Sequence, residues 1–189
     1  MRASRALTAG VALALTVAVP VSTGVSAHRL DEYLQAARIG VQPDGVSITL
    51  DLTPGTQVAD SIIALIDRDR DGTLSADEQQ TYAGAVIRAL EMRLDGEPLS
   101  LRLTSSTFPP VSALRRGEGT IRLRASASHP TLAVGKHQLF FRNGHLARQS
   151  VYLANALVPE SPRIAVTEQR RDSEQRQLTI YYLVSAAAA

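Results

Sequence analysis

Aspartates alternate at positions 67, 69 and 71, and a glutamate follows at 78, within the twelve residues DRDRDGTLSADE. Carboxylates at this spacing suit a hard cation such as Ca²⁺, which takes six to eight oxygen ligands at about 2.3–2.6 Å. Asp67, Asp69 and Asp71 can each turn one carboxylate inward, while Arg68 and Arg70 between them point outward. Gly72 allows the sharp bend that a Cβ would resist. Thr73 would offer its backbone carbonyl, Ser75 its hydroxyl directly or through a water, and Glu78 both of its oxygens. Four carboxylates this close repel one another unless a cation lies among them. A plain acidic turn can contain Asp-Gly. It has no need of Asp at every second residue with Glu seven residues after the third.

The flanking residues must form the elements that hold this loop. Val58, Ile62, Ile63, Leu65 and Ile66 make an apolar helical stretch entering it. Beyond it, Tyr82, Val86, Ile87 and Leu90 recur at three- and four-residue steps, which marks one face of a helix. Ser75 and Glu78 form an S-x-x-E capping box where that second helix starts. Asp67, Asp69, Asp71, Gly72, Leu74, Ser75 and Glu78 together resemble the EF-hand family, over about thirty residues once the helices are included. The resemblance implies calcium as cofactor, with Asp67, Asp69, Asp71, Thr73, Ser75 and Glu78 as its ligands. Two residues depart from the pattern: Gln79, where a large apolar residue is usual, and Gly84 inside the second helix. EF-hands usually pair through the apolar residue at loop position 8, here Leu74. The chain offers no second loop, since Asp95-Gly96-Glu97 lacks the upstream acids. Leu74 must therefore pack within this domain, on a second copy or on a partner.

The first 27 residues have the form of a signal peptide. Arg2 and Arg5 precede an apolar run from Ala6 to Val21, and Val25-Ser26-Ala27 offers small residues for cleavage. Removal would leave His28 first and place the protein in an exported compartment, periplasmic or extracellular. It would also take the twenty basic residues to eighteen, equal to the eighteen acidic ones. A general nucleic-acid binder is not supported by that balance. The chain has no cysteine, so no disulfide can staple it. A metal ion that binds only the folded form could serve instead.

The remainder, residues 28–184, reads as one mainly β domain with a helix–loop–helix inserted at about 57–91. Val46, Ile48, Leu50 and Leu52 alternate with polar residues, the mark of a half-buried strand. Tyr33–Val41 precedes it across a Pro43-Asp44-Gly45 turn. Met92-Arg93-Leu94 and residues 99–103 flank Asp95-Gly96-Glu97-Pro98 as a hairpin, and 107–119 reads as a loop. Strands at 120–125, 138–142, 150–153, 163–167 and 178–183 follow, and 185–189 is an alanine-rich tail. About eight short strands with regular turns predict an antiparallel β-sandwich or barrel.

Other chemistry is thin. His28, once terminal, could chelate nickel or copper with its amine and imidazole. The spacing of His129, His137 and His145 matches no tight metal motif. There is no G-x-S-x-G, no H-E-x-x-H and no phosphate-binding glycine loop, so an enzyme is not expected. Four segments resemble the exported soluble domains that precede the membrane part of relatives of the HupE/UreJ nickel-permease group. They are His28–Leu34, Asp51–Gly55, the loop at 67–78, and Arg142-Asn143 to Tyr152-Leu153. That resemblance implies an accessory or interaction domain with a membrane or exported protein partner. The leading expectation is an exported calcium-binding protein in which the hand has a structural or interaction role. The alternative is a transition-metal accessory protein of a membrane permease system.

Overall fold

A computed structural model describes residues 31–186. Residues 1–30, which include the expected signal peptide and His28, and the last three alanines lie outside them. Among the described residues ten strands build two five-stranded sheets. Strand makes up 47% of the described residues and helix 17%, so the mainly β class holds. The first sheet runs in the order β5 (Arg102–Thr107), β6 (Ile121–Ser128), β2 (Gly45–Pro54), β1 (Tyr33–Gln42), β8 (Ser150–Ala156). The second runs β4 (Glu97–Pro98), β3 (Leu90–Leu94), β7 (Gly135–Asn143), β10 (Gln177–Val184), β9 (Ile164–Arg171). The sheets share one apolar core. The alternation of β1 and β2 sends Ile39, Val41, Ile48 and Leu50 inward, and β7 and β10 answer with Leu139, Phe141, Ile180 and Tyr182.

Three features differ from the sequence expectation. First, β1 and β8 pair in parallel, with Tyr33 opposite Ser150 and Ile39 opposite Ala156. Every other pairing is antiparallel. A parallel neighbour needs a long crossover, and no local turn signal encodes one. Second, the hairpin at Asp95-Gly96 closes on the two residues of β4, after which the chain crosses to the other sheet as β5. Third, the expected loop at 107–119 contains a short helix at Val111–Arg115. Pro110, with φ near −57°, sets its entry, and Gly117, at φ +68°, leaves it in a conformation that favours glycine.

Between β2 and β3 stand two helices, α1 (Ala59–Ile66) and α2 (Ala76–Arg88); the helix at Val111–Arg115 is α3. α1 buries Ile62, Ile63 and Ile66, and α2 buries Tyr82, Ala83, Val86 and Ile87. α2 packs on β5 of one sheet and β3 of the other, so the helices cover one side of the sandwich. The opposite side is closed by side chains. Arg171 of β9 donates to the Ala154 carbonyl (2.8 Å) and to Asn155 Oδ1 (2.7 Å) of β8. This arginine caps an edge strand that would otherwise offer unpaired backbone groups.

A buried polar network ties α2 to the sheets. The Tyr82 hydroxyl lies 2.8 Å from that of Tyr33 on β1 and 3.1 Å from His145 Nε2. Gln35 Nε2 donates to the His145 carbonyl (3.0 Å) and to Ser150 Oγ (2.7 Å), and Gln35 Oε1 accepts from Asn143 Nδ2 (2.8 Å). Tyr152 donates its hydroxyl to the same His145 carbonyl. Burial pushes the Tyr82 hydroxyl up to about 12 and His145 down to about 4, so both groups are neutral near pH 7.

The sign of the resulting pH dependence follows from His145. Its folded value, about 4, lies below its ordinary value of 6.5. The imidazolium therefore favours the unfolded chain. The contribution is whole above about pH 6.5 and is lost as the pH falls from there towards 4. The loss should reach about 3 kcal/mol, since each pH unit between the two values is worth roughly 1.4 kcal/mol. Urea midpoints measured in EDTA across this range should fall more steeply for the natural protein than for His145→Gln. Parallel slopes would contradict this account.

Candidate metal centre

The loop at 67–78 joins α1 to α2, and its two ends are fixed differently. Asp67 follows the last turn of α1 and donates its N–H to the Ile63 carbonyl (2.8 Å). Ser75 is the N-cap of α2. Its hydroxyl accepts from the Glu78 N–H (3.4 Å), and Glu78 Oε2 accepts from the Ser75 N–H (2.9 Å), which completes the expected capping box.

The backbone between these ends turns its N–H groups onto the carboxylates. Asp67 Oδ1 accepts from the Asp71 N–H (3.1 Å) and Asp67 Oδ2 from the Gly72 N–H (3.0 Å). Asp69 Oδ1 also accepts from the Asp71 N–H (3.2 Å). Asp71 Oδ1 accepts from the Thr73 N–H and hydroxyl, each at 2.7 Å. Two residues take left-handed backbone to permit this, Arg70 at φ +62° and Gly72 at φ +83°. A Cβ on Gly72 would meet nothing within 4 Å, so glycine serves the turn there and not a close contact.

Oxygens of Asp67, Asp69 and Asp71 lie within 4.8 Å of one another. Two oxygens on one calcium ion stand at most about 5 Å apart, twice the usual bond length. Three of the expected ligands are therefore gathered within reach of a single ion, and the donor set is all oxygen, as a hard cation requires. Asp67 is buried, whereas Asp69, Asp71, Thr73 and Ser75 are exposed and Glu78 is half-buried. Glu78 lies outside the aspartate cluster. Its Oε1 accepts from the Arg68 N–H (2.7 Å), and its Oε2 is held by Ser75.

The charges respond as this geometry dictates. The hydrogen bond from the Asp71 N–H is the largest influence on Asp69 and holds its carboxyl down. Lost hydration and repulsion from Asp71 and Glu78 together outweigh it and leave the group above its ordinary value. Glu78 goes the other way. The Ser75 hydroxyl, then the Ser75 and Arg68 N–H groups, hold it below the usual carboxylate range.

Two residues seat the loop against the rest of the domain. Leu74 packs against the core beside Phe108 of the β5–α3 segment, and Leu74, Phe108, Pro109 and Val111 line one shallow depression. The partner that Leu74 needs thus comes from this same chain. Gln79, the departure noted in the sequence, donates Nε2 to the Leu74 carbonyl at 2.7 Å. Its amide satisfies an acceptor on the edge of the loop that a hydrocarbon side chain would leave open. Nothing in the sequence indicates this, because the bond depends on a side chain reaching back five residues.

The histidines are committed elsewhere. His145 is in the buried network. His137 donates to Asp95 Oδ2 (2.7 Å) and to the Ala133 carbonyl (3.0 Å), and His129 Nδ1 bonds the Pro130 carbonyl. Among the described residues, Asp67, Asp69 and Asp71 are the one group of three or more His, Cys, Asp or Glu placed to share a metal. His28 lies outside the described residues.

Gln79→Leu tests the role given to that amide. Without the Leu74 bond, the metal-free protein should lose about 1 kcal/mol, the usual net worth of one hydrogen bond. An unchanged urea midpoint in EDTA would count against it.

No protein-family model matches the chain, and no curated protein matches it, so a function has to be argued from this chemistry.

Proposed function

We propose that this chain is an exported calcium-binding domain whose single hand staples a helical insertion onto a β-sandwich. One observation carries the reading: oxygens of three alternating aspartates within 4.8 Å of one another, in a twelve-residue loop with a capped helix at its end. Asp67, Asp69 and Asp71 would each supply a carboxylate oxygen, Thr73 its carbonyl, Ser75 its hydroxyl or a water, and Glu78 both oxygens. Export rests on the leader-like first 27 residues, and the absence of cysteine gives a bound ion a stabilising task. The role is structural or presents a surface to a partner, without catalysis. The resemblance to domains attached to nickel-permease relatives supports a membrane or exported protein as that partner.

Extracellular calcium modules bind with Kd on the order of 10⁻⁴–10⁻³ M. Calcium at about ten times Kd should then raise Tm by roughly 3–6 °C, through about 1.4 kcal/mol of mass action in a domain of this size. Calorimetric titration with Ca²⁺, Mg²⁺ and Ni²⁺ should show heat for Ca²⁺ that disappears in the Asp67→Ala/Glu78→Gln double variant. An undiminished calcium-dependent Tm gain in that variant would falsify the reading. A nickel isotherm without a calcium one would favour the transition-metal alternative.

A further inference from the structure

The outer face of the β5-β6-β2-β1-β8 sheet has two parts of different character. Pairing fixes which residues share it: Arg102 stands opposite Ser126, Ser105 opposite Arg124, Arg122 opposite Asp51, and Arg38 opposite Thr49 and Asn155. Within these five strands the outward positions hold four arginines and one carboxylate, Asp51. That carboxylate is already shared. Arg38 Nη2 reaches Asp51 Oδ2 at 2.6 Å and Arg122 Nε reaches Asp51 Oδ1 at 2.6 Å. Among the described residues, Arg102 and Arg124 have no ion partner. The outward arginines of the other sheet differ. Arg93 and Arg142 share Glu91, and Arg170 has Glu168. The side chains paired with Arg102 and Arg124 across β5 and β6 are the short hydroxyls of Ser126 and Ser105.

The β1–β8 border of the same face carries an apolar group, Leu34, Ala36, Val151 and Leu153, between Arg38 and Asn155 on one side and Glu32 on the other. Leu34 lies opposite Val151, and Ala36 opposite Leu153. Leu157 continues this side, because a Cβ built on Gly40 would meet both Ser47 and the Leu157 side chain. Leu153 is 37% exposed, Leu157 45% and the adjacent Val158 90%. Exposed apolar side chains beside unpaired cations on one surface fit an anionic lipid interface, where hydrocarbon enters the headgroup boundary and guanidinium groups meet phosphates. A soluble polyanion would use the arginines and have no need of the leucines.

We infer that this sheet face docks the protein on an anionic phospholipid surface, with Arg38, Arg102, Arg122 and Arg124 on the headgroups and Leu153 and Leu157 at the acyl boundary. The calcium loop takes no part, so the test is run in EDTA and stands apart from the calcium reading. Purified protein should float with vesicles of phosphatidylglycerol in phosphatidylcholine, remain unbound with phosphatidylcholine alone, and be released by salt. Arg102→Ser with Arg124→Ser should weaken binding about twenty-fivefold, at roughly fivefold for each arginine beside an anionic surface. Arg102→Lys with Arg124→Lys should retain binding, which separates lost charge from lost fold. Leu153→Ser with Leu157→Ser should weaken binding while keeping its salt dependence. Equal binding to both vesicle types, or undiminished binding by the arginine-to-serine variant, would overturn the inference. Retention on heparin without vesicle binding would overturn it too, and would assign the face to a soluble polyanion.

Discussion

Tyr82 projects from the helix that leaves the loop at 67–78, and its hydroxyl lies between the Tyr33 hydroxyl and His145 Nε2, with all three side chains buried. A buried hydroxyl without partners costs about 1–3 kcal/mol. These three groups satisfy one another only when α2, β1 and the β7–β8 connection are in register. The polar contact is therefore selective where the surrounding apolar packing is tolerant. It fixes α2 one turn beyond Glu78, and so fixes the exit of the loop. The entry is fixed by Ile62, Ile63 and Ile66 of α1 in the same core. The carboxylates between these ends are gathered by backbone N–H groups whose positions the two helices determine.

The same network governs how the chain changes sheets. β7 belongs to one sheet and β8 to the other, and the connection between them carries His145. Gln35 on β1 bonds the His145 carbonyl, Ser150 and Asn143, which links both ends of that connection to a central strand. The parallel pairing of β1 with β8 depends on this link. Gln35 and Asn143 are buried amides, and leaving either unpaired would be costly. Their satisfaction favours this crossover over a slipped one, since a slip by one residue would also send Tyr33, Ala37 and Ile39 to the wrong face.

Legibility in the sequence tracks the range of the interaction. Alternation at Val46, Ile48, Leu50 and Leu52 reports a face against water, so β2 is plain, and the helical spacing of Tyr82, Val86 and Ile87 places α2. The capping box and the alternating aspartates are local chemistry and are equally readable. The parallel neighbour of β1 is not, because it joins residues more than a hundred positions apart. α3 reads as loop because Pro109, Pro110, Gly117 and Gly119 crowd five helical residues, too few to show a period. His145 reads as an ordinary histidine, since its surroundings are supplied by Tyr33 and Tyr82 from elsewhere in the chain. Sequence alone leaves three choices for the partner of Leu74, and only the fold brings Phe108 and Val111 beside it.

The packing of the two helices also decides what kind of device a metal in this loop could be. A switch must have a second arrangement close in free energy, and a ligand shifts the balance only by its differential affinity. Opening this hairpin would return Ile62, Ile66, Tyr82 and Val86 to water, and all four are at most 5% exposed. At about 1.5–3 kcal/mol for each large side chain, that exposure costs on the order of 6–12 kcal/mol. An ion at ten to a hundred times its Kd supplies about 1.4–2.7 kcal/mol. The ion is too weak by several kcal/mol to drive the helices apart, and it would bind most tightly where they are already seated. Its effect would be confined to the exposed stretch from Arg68 to Thr73, where backbone N–H groups and carboxylates hold one another in place. Ordering that stretch is the work of a staple.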